Sequence, residues 1–250
     1  MQHNESTFCS LWTKKIKVDN CADLFINEKF SDDYFFNRVN NILSCHDISA
    51  VLERSLRIFS ERGLKSYIYL DDAKNDDGSN ILLERIILER RFTQLDTMHA
   101  FRSVTDKIQH ENHEVQVYKI DITLLPLWID IFCVSFDALE WKPEVERILK
   151  LHFNELTLLI AYVKGNLSQL PAGCAVLFNM NKITGLYCLG TVPSFRHQGV
   201  AKKIIKVSLE IAMQEDSNSL IVQAFTNEGF QNVYKRLGFE LVYKTKIYMS

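Results

Sequence analysis

An apolar run that stops at a proline and passes through a glycine turn into a helix constrains this chain more than any other stretch. Gly185-Leu-Tyr-Cys-Leu-Gly-Thr-Val-Pro193 reads as a buried strand, and after Arg196-His-Gln-Gly199 a helical pattern continues to about Met213. Its apolar positions 200, 204, 207 and 211, with a second row at 201, 205, 208 and 212, make a stripe wide enough to bury one face on a sheet. The first N–H groups of such a helix have no intrahelical partner, and its dipole adds positive potential there. A strand, a glycine-bearing turn and a helix N-terminus in that order form an anion-binding device, with a diphosphate as natural occupant.

The rest of the second half supplies a sheet for that helix to cover. Val115-Gln-Val-Tyr-Lys-Ile120 alternates as a strand, and helices are expected over about 121–137 and 142–153. Leu156–Val163 and Ala172–Asn179 read as a hairpin about the polar turn at 164–169. After the long helix come a strand at 219–225, a short helix at 228–237 and a final strand at 239–249.

The first half is harder to place. The rings Phe8, Trp12, Phe25, Phe30, Tyr34, Phe35 and Phe36 argue for burial of residues 1–40. A helix is expected from Ile48 to Gly63 and a strand over Tyr67–Leu70. A second helix is expected from Ile81 to about Arg91, with Ile81, Leu82, Ile86 and Leu88 on its apolar side, then a strand over Phe92–Met98. The acidic stretch at 71–80 lacks the spacing and terminal glutamate of a calcium-binding loop and reads as a solvated turn. With 250 residues the chain accommodates two domains, expected at 1–112 and 113–250.

Composition narrows the functional classes. A formal net charge of −2 gives no basic footprint for nucleic acid. No window is apolar enough for a membrane span, and the polar N-terminus lacks the order of a signal peptide. The cysteines at 9, 21, 45, 133, 174 and 188 show no Cys-x-x-Cys pair and no zinc spacing, so they read as reduced thiols in a cytoplasmic protein without a metal.

Two motifs then carry a resemblance. Arg196-x-x-Gly199-x-Ala201 after a strand resembles the pyrophosphate signature of the GCN5-related N-acetyltransferase family. Asn227-Glu-Gly-Phe-Gln-Asn-Val-Tyr234-Lys-Arg-Leu-Gly238-Phe239, about thirty residues on, resembles that family's second motif, with Phe230 in place of a small residue and Val233 in place of leucine. The resemblance covers 115–250. It implies an α+β, three-layer α/β/α domain whose mixed, mostly antiparallel twisted sheet is of the acyl-CoA N-acyltransferase type, preceded by an N-terminal α/β domain. The helix running into Arg91-Phe92 and a strand loosely echoes the one running into Gly238-Phe239. The first domain is therefore expected to be a degenerate copy in a tandem arrangement. It has no glycine signature, and Ile87 stands where the second half has Tyr234, so it is not expected to bind CoA.

The resemblance also implies an acetyl-CoA-dependent N-acetyltransferase, in the acyltransferase class, acting on a primary amine of a small molecule or peptide. Leu189, Thr191 and Val192 map to the strand edge that pairs with pantetheine. The amides of His197, Gln198, Gly199, Val200, Ala201 and Lys202 map to the pyrophosphate cradle. Arg196 either adds charge there or anchors the turn, and His197 is a solvated turn residue. Asn227 contacts the cofactor or caps the following helix. Tyr234 matches the family's proton donor to the departing thiolate, and its structural alternative is a core tyrosine sharing a helix face with Phe230, Val233 and Leu237. The strand Thr184–Leu189 offers no acid as general base, which leaves His152, Glu155, Asp137 or water. Cys188 reads as a small strand residue rather than a nucleophile, and acceptor specificity is expected in the loop 136–143. The alternative activity is a CoA-binding regulatory or interaction module with weak turnover. Oligomeric state is not readable.

Overall fold

The computed structural model describes residues 2–42, 47–72, 79–104, 113–165 and 168–249. Cys45, the domain boundary at 112/113 and much of the expected turns at 71–80 and 164–169 fall outside them. In chain order the elements are α1 (Gln2–Trp12), β1 (Lys14–Val18), β2 (Ala22–Ile26), β3 (Arg38–Asn40), α2 (Ile48–Ser60), β4 (Tyr67–Asp71), α3 (Ser79–Glu89) and β5 (Thr93–Ser103). They continue with β6 (Val115–Lys119), α4 (Leu125–Phe136), α5 (Lys142–His152), β7 (Thr157–Lys164), β8 (Gln169–Met180), β9 (Ile183–Thr191), α6 (Val200–Gln214), β10 (Ser219–Phe225), α7 (Gln231–Arg236) and β11 (Phe239–Met249).

These elements fall into two compact units that are not a simple front and back half. The N-terminal unit contains Ser6–Ala100, Ala224–Val233 and Leu241–Ser250, and the C-terminal unit contains Met1–Glu5, Phe101–Gln223 and Tyr234–Glu240. The cut at 112/113 expected from the sequence is a cut along the chain, whereas these units interleave. The reason is β11, which pairs antiparallel with β4 from Thr245↔Asp71 to Met249↔Tyr67. A sequence cut cannot show that the last strand is claimed by an early one.

In the N-terminal unit β1, β2 and β3 pair antiparallel in turn, and β3 pairs parallel with β4 through Arg38↔Tyr67 and Val39↔Ile68. The helix α2 makes the crossover, opened by the Asp47 side chain accepting from the Ala50 N–H. Its apolar stripe, Val51, Leu52 and Phe59, is buried against a core that includes Leu24, Val39, Ile68, Leu70 and Tyr248. The structure turns α3 away from its expected orientation. Leu83 and Ile87 are its buried residues, while Ile81 is 77% and Leu88 54% exposed. Three apolar residues in a row at 81–83 and three more at 86–88 permit either face, and packing on the core selects the 83/87 pair.

In the C-terminal unit β6, β7, β8 and β9 are antiparallel in turn and β9 pairs parallel with β10. Two glycines show how closely helices approach this sheet. A Cβ on Gly173 would meet Val200 Cγ1 at 2.7 Å, and one on Gly190 would meet Ser135 Cβ at 2.7 Å. Gly190 pairs with Cys174, the neighbour of Gly173, so α4 and α6 cover opposite faces and the unit has three layers. Pro126 stands in the first turn of α4, as a residue without an N–H can.

The same connection order therefore occurs twice. Antiparallel β1-β2-β3, crossover α2, β4 and α3 repeat as β7-β8-β9, α6, β10 and α7. Backbone signs repeat as well. The residue two past the last parallel pair has positive φ in both copies, Asn41 at 53° and Cys188 at 51°. The helix ends that echo each other in sequence place Arg91 at φ 64° and Gly238 at φ 82°.

Candidate active site

The turn between β9 and α6 begins with a short 3-10 segment, Pro193–Phe195. His197 and Gly199 then both adopt left-handed backbone, at φ 63° and 82°. Glycine takes that conformation freely, and at the N-cap of α6 it provides no side chain to bond the helix's first amides. No side chain caps α6, so the N–H groups at its start are left for an external acceptor. Val200 is buried under the helix, while His197, Gln198 and Lys202 are exposed around the turn.

Arg196 holds this turn in place. Its Nη2 donates to the Ser135 carbonyl of α4 at 3.1 Å and its Nε to the Thr191 carbonyl at 3.4 Å. Of its two expected roles the anchoring one is thus filled, and the guanidinium still adds positive charge at the exposed surface. Gln198 donates to the Ser194 carbonyl at 3.1 Å, closing the turn from within.

Just before the turn the sheet opens. The β9–β10 pairing runs from Ile183↔Ser219 to Leu186↔Val222 and stops, while β9 continues to Thr191. On its other side β9 changes register against β8, with Cys174 opposite Gly190 but Val176 opposite Tyr187. Cys188 and Leu189 there share the single residue Ala175, a bulge formed where Cys188 takes φ 51°. Leu189, Thr191 and Val192 are half-buried along this segment. Val192 donates its N–H to the Ala172 carbonyl at 2.9 Å, which keeps it in the β8 ladder. In the sequence, Gly190 inside a strand is the usual sign of such a bulge.

Desolvation pushes the Cys188 thiol up to about 12 and raises that of its neighbour Cys174 as well. Neither is a thiolate at neutral pH, in keeping with Cys188 as a strand residue rather than a nucleophile. Tyr234 is 7% exposed, with the rings of Phe101 and Phe239 at 5.7 and 5.9 Å. The helix-face companion expected from sequence, Phe230, is instead 52% exposed. The expected continuous helix 228–237 is interrupted, because Gly229 at φ 72° ends a 3-10 turn, Thr226–Glu228, before α7 begins.

Asn227 lies in the N-terminal unit and does not cap a helix. It sits within the 3-10 turn, its Nδ2 donating to the Leu95 carbonyl at 3.5 Å and its backbone N–H to Asp96 at 3.4 Å. Of the base candidates, His152 and Glu155 bond to each other at 2.7 Å at the entrance to β7. That end of the sheet leads through Thr157↔Leu177 to Leu186, away from the glycine turn. Asp137 is exposed and terminates α4 in left-handed backbone at φ 53°. Among the described residues no His, Cys, Asp and Glu group could hold a metal ion, and no helix is long and apolar enough to cross a membrane.

Residues 125–239 match the acetyltransferase (GNAT) family. No curated protein matches the sequence. Among solved structures, the fold is similar to a GCN5-related N-acetyltransferase from Kribbella flavida, with TM-score 0.71 and 14% identity over 100% of this chain and 94% of that one. It is similar to another from Sphaerobacter thermophilus, with TM-score 0.72 and 10% identity over 92% and 76%. A tandem GNAT protein from the clavulanic acid biosynthesis pathway matches with TM-score 0.62 and 8% identity over 85% and 74%. At these identities the structures speak to fold alone. The glycine turn, the opened strand and Tyr234 all lie within the matched segment, and residues 125–239 are a domain of the acetyltransferase (GNAT) family, a scaffold for acyl transfer.

Proposed function

We propose that this protein is an acetyl-CoA-dependent N-acetyltransferase that moves the acetyl group directly to a primary amine of a small molecule or peptide. The observation that carries the reading is the uncapped start of α6 at Gly199, directly after the stretch of β9 that leaves β10. Acetyl-CoA would lay its pyrophosphate over the amides from His197 to Lys202 and its pantetheine along Leu189, Thr191 and Val192. The amine attacks the thioester carbonyl carbon, the C–S bond breaks, and the thiolate takes a proton from the Tyr234 phenol. Backbone groups released from the ladder by the Cys188 bulge are suited to polarise the carbonyl. A phenol with an ordinary value near 10 stays protonated at neutral pH and can follow the developing negative charge on sulfur.

No carboxylate stands on β9 between Thr184 and Thr191, so the ammonium proton of the acceptor leaves to water. That gap also supports the second reading, a CoA-binding module with weak turnover. Following CoA release across an amine library separates the two. In the enzyme, Tyr234→Phe lowers kcat by about a hundredfold or more with acetyl-CoA affinity unchanged. Turnover equal in the wild type and Tyr234→Phe removes the catalytic assignment, and no turnover with any amine leaves the binding module.

The N-terminal unit reads as the degenerate copy. Where the C-terminal unit leaves α6 uncapped, Asp47 places a carboxylate on the Ala50 amide of α2, and Ile87 lies four residues before Arg91 as Tyr234 lies four before Gly238. A carboxylate already seated there competes with and repels a phosphate.

A further inference from the structure

We propose that Asp96, Glu228 and Tyr34 form a binding site for a primary ammonium group within the N-terminal unit. Asp96 stands on β5 and is 5% exposed. Its Oδ1 accepts from the Thr97 N–H at 2.7 Å and the Asn227 N–H at 3.4 Å, but its Oδ2 is fully buried with no hydrogen-bond partner. Other carboxylates of this unit have cations: Glu84 receives Lys246 and Asp23 receives Lys15. A buried carboxylate oxygen without a donor is costly, and a ligand that donates to it removes the cost.

The surroundings of that oxygen define the ligand. Glu228 turns its carboxylate back over the 225–228 turn, where its Oε2 accepts from the Phe225 N–H at 3.1 Å. Partial desolvation and the field of Asp96 hold the Glu228 carboxyl above its ordinary range. All three groups gather on the 225–228 turn: Asp96 accepts from the Asn227 N–H, Glu228 from the Phe225 N–H, and the Tyr34 ring meets Phe225, while the Tyr34 phenol is raised by desolvation, then by Asp96 and Glu228. Among the described residues neither Asp96 nor Glu228 has a Lys, Arg or His partner. The walls are aromatic: Tyr34 meets Phe225 edge-on at 4.9 Å and Tyr67 at 5.9 Å.

Two carboxylates beside aromatic rings attract an organic cation. Three acceptors, the free Asp96 oxygen, Glu228 and the Tyr34 phenol, match the three N–H donors of a primary ammonium. A quaternary ammonium would leave the Asp96 oxygen as bare as before. The site stands independently of acyl transfer.

The test titrates the full-length protein, without CoA, with n-butylammonium and with tetramethylammonium, followed by calorimetry and ligand-observed NMR. Saturable binding of n-butylammonium is expected, weakened by about tenfold or more in Asp96→Asn and in Glu228→Gln, with tetramethylammonium bound more weakly than n-butylammonium. Asparagine and glutamine retain an oxygen for the backbone contacts, and if Asp96→Asn does not melt cooperatively, Glu228→Gln carries the comparison. No saturable binding by the wild type, unchanged affinity in the folded variants, or a preference for tetramethylammonium would overturn the site. Neither CoA nor turnover enters this measurement, so its failure leaves the acyl-transfer reading untouched.

Discussion

At the scale of single residues, chemistry here is set by where each group stands rather than by its type. Cys188 occupies the bulge beside the opened strand, yet its thiol is pushed up to about 12 by desolvation. At pH 8 only about one molecule in ten thousand carries the thiolate. Iodoacetamide labelling read by mass spectrometry should therefore leave Cys188 unmodified in the folded protein and modify it after denaturation. Complete labelling of the native protein within minutes would contradict the assignment. Arg196 and Gly199 were legible in the sequence because they belong to a motif with a fixed geometry. The Ser135 carbonyl that holds Arg196 was not, because it lies 61 positions away on α4. Asp96 carried no sequence signal at all, since a carboxylate in an alternating strand ordinarily faces solvent.

At the scale of elements, period and composition located most helices and strands but not which way they turn. The strand β9, the helix α6 and the hairpin β7–β8 follow their patterns closely, because one apolar stripe admits one packing. The helix α3 has apolar residues on more than one side, and the core chose Leu83 and Ile87. Its exposed flank contributes instead through Glu84, which accepts from Lys246 at 2.7 Å and from the Tyr248 hydroxyl. The hydrogen bonds from Lys246 and Tyr248 hold the Glu84 carboxyl below its ordinary range. A depressed carboxylate stabilises the fold above its unfolded value and loses that contribution as pH falls through the folded one. With the pair partly exposed, Glu84→Gln should cost about 1 kcal/mol at pH 7 in urea unfolding. The gap to the wild type should close as the pH drops below the ordinary glutamate range, and a gap that widens there would reverse the sign of the account.

At the scale of the whole molecule, the chain repeats one connection order and interleaves the two copies. The faint sequence echo at Arg91-Phe92 and Gly238-Phe239 is matched by positive φ at Arg91 and Gly238. The interleaving itself has no local signature, because a strand's partner is chosen by tertiary context. A fragment 113–250 keeps the acyl-transfer motifs but separates residues 241–249 from β4. It should show no cooperative urea transition, whereas a cooperative transition in the fragment would mean that β11 finds another partner. The central claim is that the uncapped start of α6 at Gly199 holds the acyl donor. Calorimetric titration with acetyl-CoA tests it most directly. The wild type should bind stoichiometrically, and Gly199→Glu, which places a bulky carboxylate in the left-handed N-cap, should weaken binding on the order of a hundredfold while retaining a cooperative melt. Unchanged, tight binding by the folded Gly199→Glu variant would contradict the account.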